Sequence, residues 1–139
     1  MAEPLDLGCF SVSLKVADLD RSVAFYEALG FTMLGGEGGY RIMGNGLTKL
    51  GLFAEHVEAN ILTFNPGLTQ EWLRDVADGD VPGPGLPPPA EDFTDVREIE
   101  RRLTDAGVEL QRRTETDDGP DYLLLEDPDG NRIMIDQFF

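Results

Sequence analysis

The chain predicts an α+β fold made of two tandem βαβββ units, and three observations carry that prediction. Hydrophobic periods of two and of 3.6 alternate over residues 8–55 in the order strand, helix, strand, strand, strand. A similar order returns over residues 60–139, broken by a Pro/Gly-rich insertion at 66–93. The segments LGFTML (29–34) and AGVELQ (106–111) stand at matching points after the two helical runs, as an internal duplication would place them. With 139 residues the chain is long enough to bury the core of one domain.

In the first unit, Val12, Leu14 and Val16 alternate with Ser11, Ser13 and Lys15, which predicts a strand with one face on a core. Asp18 then stands at an N-cap. Leu19, Val23, Tyr26 and Leu29 recur at helical spacing, and Gly30 supplies the stop. Phe31–Leu34 reads as the second strand, GGEGG (35–39) as a turn and Tyr40–Met43 as the third strand. Asn45-Gly46 is a hairpin signal, and Thr48–Phe53 is the fourth strand.

The second unit opens with NILTFN (60–65). Its helix is predicted from Val96, Ile99, Leu103 and Ala106, capped by Asp95 or Thr94 and ended by Gly107. Val108–Gln111 and Tyr122–Glu126 read as strands, DPDGN (127–131) as a turn and Ile133–Phe138 as the last strand. The insertion holds a short helical piece, Gln70–Val76, with the lone Trp72, and then five prolines between Pro82 and Pro89. Such a stretch packs poorly and suits a surface loop, a lid or a partner contact.

Charge narrows the choice of partners. There are 27 acidic residues against nine arginines and two lysines, a net charge of −16, so the surface should repel nucleic acid and anionic membranes. No apolar run approaches the roughly 20 residues that span a bilayer. The opening MAEPLDLG has neither the basic nor the apolar part of a signal peptide. Cys9, the single cysteine, excludes an intrachain disulfide and is expected to be a small buried side chain beginning a strand. Together these features predict a cytoplasmic protein.

The pattern V-x-D-L-x-x-S-x-x-F-Y-x-x-L-G-F at 16–31, joined with D-P-D-G-N at 127–131, resembles the vicinal oxygen chelate superfamily. That group includes glyoxalase I, extradiol dioxygenases and the bleomycin-resistance proteins. The resemblance covers the chain apart from the insertion. It implies that each unit curls its strands into a half-cup, that the cups line a pocket commonly holding a divalent metal, and that the protein is a homodimer.

It also implies where the metal ligands would stand: Ser11 at the first-strand histidine, Ile61 at the histidine opening the second unit, Gly51 near a fourth-strand glutamate and Met134 at the last-strand glutamate. A hydroxyl, an aliphatic chain, a glycine and a thioether make no competitive site for zinc, nickel or ferrous iron. The expectation is therefore a protein with no metal and no cofactor. The lone His56 reads as a turn residue.

The strand register leaves Ser11, Ser13, Lys15, Lys49, Phe53, Ile61, Thr63, Arg132, Met134 and Asp136 facing the cup, with Tyr40 and Tyr122 contributing and Trp72 able to cover the opening. This mixed wall suits a small organic ligand. Three readings stand together: a metal-free binding protein, as in the bleomycin-resistance branch; a metal-independent enzyme using Asp136 or Glu126 as base; and a ligand-free interaction domain.

Overall fold

Cys9–Lys15 forms β1, and Leu19–Ala28 forms α1. Three strands follow: β2 (Thr32–Gly35), β3 (Tyr40–Asn45) and β4 (Thr48–Phe53). Next come β5 (Ile61–Asn65), α2 (Val96–Asp105), β6 (Asp121–Glu126) and β7 (Arg132–Gln137). These elements belong to a computed structural model that describes residues 5–55, 57–70 and 89–139. His56, Trp72 and most of the helical piece and proline strap expected in the insertion lie outside the described residues. The described chain divides into two compact units, one of residues 11–61 with Gln70 and one of residues 5–10, 62–69 and 89–139.

In the first of these units the strands lie in the order β2-β3-β4-β1. β3 and β4 form an antiparallel hairpin and β4 runs parallel to β1, with Val12 beside Leu50 and Leu14 beside Leu52. Asp18 caps α1 by accepting the Arg21 N–H at 3.1 Å. Met43 and Leu52, on the strand face they share with Leu14 and Leu50, are buried, and Leu34 is buried against Gly44. The helix itself buries no residue fully, and Leu29, expected to face the core, is 58% exposed. Leu29 is the C-cap residue, outside the helical turns.

The second unit has the order β5-β7-β6 and a denser core. Val96 and Ile99 of α2 pack on Leu123, Leu125 and Ile135, with Phe64, Leu103, Val108 and Leu110 around them. The expected strand at Val108–Gln111 is absent; only an isolated bridge joins Arg112 to Leu124. Both the Gln111 and Arg112 N–H groups donate to the one Leu124 carbonyl, at 2.8 and 3.2 Å. Pairing therefore stops after a single residue, although the alternation of Val108 and Leu110 is strand-like.

DPDGN acts as a turn clamp: Asp127 accepts from the Asp129 and Asn131 N–H groups, both at 2.9 Å, and from Asn131 Nδ2 at 2.7 Å. These bonds hold its carboxyl below the usual range. Cys9 is buried at the start of β1.

Gln137, 2% exposed, ties this unit together. Its Oε1 accepts the first helical N–H, from Val96, at 2.7 Å. Its Nε2 donates to the Phe139 carbonyl at 2.9 Å, Asp95 Oδ2 at 3.2 Å and the Gly119 carbonyl at 3.3 Å. Gln137→Leu leaves those buried groups unpaired, and a loss of about 2 kcal/mol is expected in urea unfolding. A loss below about 0.5 kcal/mol would show that water replaces the amide freely.

Candidate ligand-binding faces

The β6–β7 register decides what each strand face carries. Asp121, Leu123 and Leu125 share a row with Gln137, Ile135 and Ile133 and face α2. Tyr122, Leu124 and Glu126 pair across with Asp136, Met134 and Arg132 on the opposite face. Thr63 and Asn65 are buried on β5, and Asn65 Nδ2 donates to the Asp136 carbonyl at 2.9 Å. Tyr122, Met134 and Asp136, singled out from sequence, therefore do share one face.

Asp136 is the chemically distinctive group of that face. Its carboxyl receives no hydrogen bond from the described residues, and its partly buried setting pushes its pKa up to about 6. Burial is the main cause; the Arg112 guanidinium opposes it and the nearby Asp121 carboxylate adds to it. A carboxyl whose folded pKa is raised favours folding below its unfolded value, and loses that contribution as pH rises through about 6. Asp136→Asn is thus expected to stabilise the fold at pH 8 by about 1–2 kcal/mol, discounted for partial exposure, with no gain at pH 4. Thermal melts at the two pH values check this; an equal change at both would remove the ionisation cost.

Arg112, which the sequence did not single out, orders the neighbourhood. Its guanidinium carbon lies 3.5 Å from the centre of the Tyr122 ring, a cation–π contact. The same group donates to Asp121 Oδ1 at 3.0 Å and to the Tyr122 carbonyl. Asp121 also accepts from Thr116 Oγ1 at 2.7 Å and from the N–H groups of Glu115, Thr116 and Tyr122 at 2.8–2.9 Å. Burial alone would raise its pKa, but these donors hold it far below the ordinary carboxylate range. No signal in a single sequence marks Arg112, because its role depends on a bridge to Leu124 and on Asp121, nine residues away.

The other unit presents a separate face. Gly51 stands beside Ser13, and Phe53 between Lys15 and Tyr40. Tyr40 and Phe53 stack with ring centres 5.6 Å apart and planes at 15°. Lys49, only 4% exposed, is not free in this face: its Nζ donates to the Gln70 carbonyl at 2.5 Å. Gln70 in turn donates to the Leu47 carbonyl at 2.6 Å, so the buried ammonium pins the start of the insertion. Ser11 and Ile61 are half-buried.

The fold's expected metal can be tested against these residues. Ser11, Gly51, Ile61 and Met134 supply no imidazole or carboxylate, and no group of three or more His, Cys, Asp or Glu among the described residues could hold an ion. Gly51 cannot simply regain a ligand: a Cβ there would lie 2.7 Å from Phe53 Cε2, in a ring already stacked on Tyr40. The donor set does not fit a divalent metal.

Comparison with known proteins agrees with this architecture. The family model for the Glyoxalase/Bleomycin resistance protein/Dioxygenase superfamily matches residues 10–135. A structure described as NAD-dependent benzaldehyde dehydrogenase from Legionella pneumophila is 18% identical with TM-score 0.62, covering 94% of this chain and 99% of that one. A glyoxalase/bleomycin resistance protein/dioxygenase superfamily member from Vibrio splendidus is 11% identical with TM-score 0.56, covering 94% and 97%. An extradiol ring-cleaving dioxygenase from B. fuscum is 20% identical with TM-score 0.55; 98% of this chain corresponds to 33% of that one. At these identities the likeness is one of fold. No curated protein matches the chain. No helix of the described residues is long and apolar enough to cross a membrane.

Proposed function

The chain belongs to the Glyoxalase/Bleomycin resistance protein/Dioxygenase superfamily, and from that premise we propose that it binds a small organic molecule without a metal ion, on the strand face that carries Asp136. One observation carries this reading: a partly buried carboxyl with no hydrogen bond from the described residues, set among Tyr122, Met134 and Leu124. Partial burial penalises the charged form of this carboxyl, and a ligand cation that pairs with it offsets that penalty. The ligand favoured is a small organic cation, which gains from the ionised carboxylate and from the long-range field of a −16 chain.

The first test is elemental analysis of chelator-treated protein challenged with nickel, zinc and ferrous iron. A metal content far below one per chain is expected; one tightly held ion per chain would sink the metal-free reading. The second is calorimetric titration with small aromatic amines. Affinity should rise about tenfold between pH 5 and 7, as a carboxyl titrating near 6 passes from roughly a tenth to nine tenths ionised. Asp136→Asn should abolish that rise, and binding indifferent to both pH and the substitution would place the ligand elsewhere.

The raised pKa of Asp136 also favours a second reading, a metal-independent enzyme with Asp136 as general base. Its mark would be turnover of an acidic C–H substrate that climbs through pH 6 and disappears in Asp136→Asn. A homodimer in the cytoplasm completes the proposal, with sedimentation equilibrium as its check.

A further inference from the structure

A cleft lies where β1 ends beside α1, in the unit formed by residues 11–61, with a volume of about 560 Å³. Leu14 of β1 and Val16 just after it contribute to its lining, and α1 contributes Phe25 and Tyr26, packed edge to face at 5.3 Å and 88°. Phe25 is 61% exposed, a large aromatic surface left uncovered by this unit. No residue of α1 is fully buried.

Two cations, Lys15 and Arg21, also line this cleft. The other basic side chains among the described residues are engaged. Arg97, Arg101, Arg102 and Arg112 make ion pairs. Arg41, Lys49 and Arg113 donate to backbone or hydroxyl oxygens, and Arg132 has an interaction of its own. Lys15 and Arg21 are the two whose charged groups have neither a hydrogen bond nor an ion pair. In a chain with 27 acidic residues, that both unengaged cations border one cleft of mixed lining is a specific arrangement. Asp18, the acid in the lining, accepts the Arg21 N–H through Oδ1 as helix cap. Asn60 is held at the rim by accepting the Lys15 N–H at 3.0 Å.

We propose that this cleft is a binding site for a small organic anion, an aromatic or branched aliphatic carboxylate. Its apolar body would lie on Leu14, Val16, Phe25 and Tyr26, and its carboxylate would pair with Lys15 and Arg21. The volume falls within the range of small-molecule sites. Guanidinium and ammonium groups are the natural partners of a carboxylate. The net charge of −16 disfavours indiscriminate anion adhesion, so selective binding has to come from this local pair. The ligand is opposite in charge to the one proposed for the Asp136 face, and the two sites share no residue.

The test is an amide NMR titration of the full chain with benzoate, with benzyl alcohol as the uncharged control. Saturable benzoate shifts are expected at residues 14–18, Ser22, Phe25 and Asn60, with benzyl alcohol at least about tenfold weaker. The double variant Lys15→Gln/Arg21→Gln should weaken benzoate by about tenfold or more while keeping a dispersed, folded spectrum. Phe25→Ser tests the apolar wall and should weaken both probes. Equal affinity for the two probes, an unchanged affinity in the double variant, or no saturable shift would each overturn the proposal. So would benzoate shifts centred on Tyr122 and Asp136. Failure of amines to shift Tyr122 and Asp136 would bear only on the first site.

Discussion

Replacing Asp121 by alanine is expected to remove about 3–5 kcal/mol of stability, a large share of what a domain of this size has. The carboxylate is buried and serves as acceptor for Arg112, Thr116 Oγ1 and three backbone N–H groups. Its removal strands all of these donors in a place that water enters poorly. The pH dependence has a definite sign. A depressed carboxyl contributes stability that is present above its unfolded value, about 4, and is lost as pH falls through its folded value. Because the folded value of Asp121 is so low, the wild-type advantage should persist at pH 5 and shrink only below about pH 4. Urea unfolding of both proteins at pH 7, 5 and 3 measures this, with Asp105→Ala as the control. Asp105 pairs with Arg101 in an exposed bridge at 3.2 Å, worth about 0–1 kcal/mol. A loss in Asp121→Ala no larger than in the control would show that Arg112 and the loop find other acceptors.

Gly8→Ala should cost at least about 2 kcal/mol, for two separable reasons. Gly8 has φ +80°, where a side chain is strained, and a Cβ there would meet the Asn65 carbonyl oxygen at 2.0 Å. That contact is to backbone, so relief requires moving the end of β5, whose Asn65 is bonded to the Asp136 carbonyl. Gly107→Ala separates the causes: its φ is +83°, yet nothing lies within 4 Å of its Cβ position. It should lose only about 1 kcal/mol, the conformational part. Equal losses for the two variants would mean that the segment before β1 yields without resistance.

Much of the secondary structure was legible because burial on one face imposes a period that the residues display. The alternation through Val12 and Leu14 and the repeat Val96, Ile99, Leu103 located β1 and α2, and Asp18 and Asp95 cap their helices as expected. Where local pattern and tertiary pairing diverge, the pattern misled. Val108–Gln111 alternates like a strand but finds only the Leu124 carbonyl as its pairing partner. Leu29 repeats like a core residue yet stands outside the packed face. The DPDGN motif marked its turn, since Asp127 closes it through bonds only two and four residues along the chain.

The candidate site divides along the same line. Which side chains share a strand face follows from alternation, so Tyr122, Met134 and Asp136 were legible as neighbours. By itself, then, the sequence determined the order of the elements, the two faces of each strand and the donors available. Only the tertiary structure decided that Asp136 lacks a hydrogen-bond donor while Asp121 has five, that Arg112 covers Tyr122, that Lys49 is spent on the Gln70 carbonyl, and that α1 leaves a cleft beside Lys15 and Arg21. The reason is physical: periodicity records burial, a property of local geometry, whereas charge state and partnership depend on which distant groups arrive within about 3 Å.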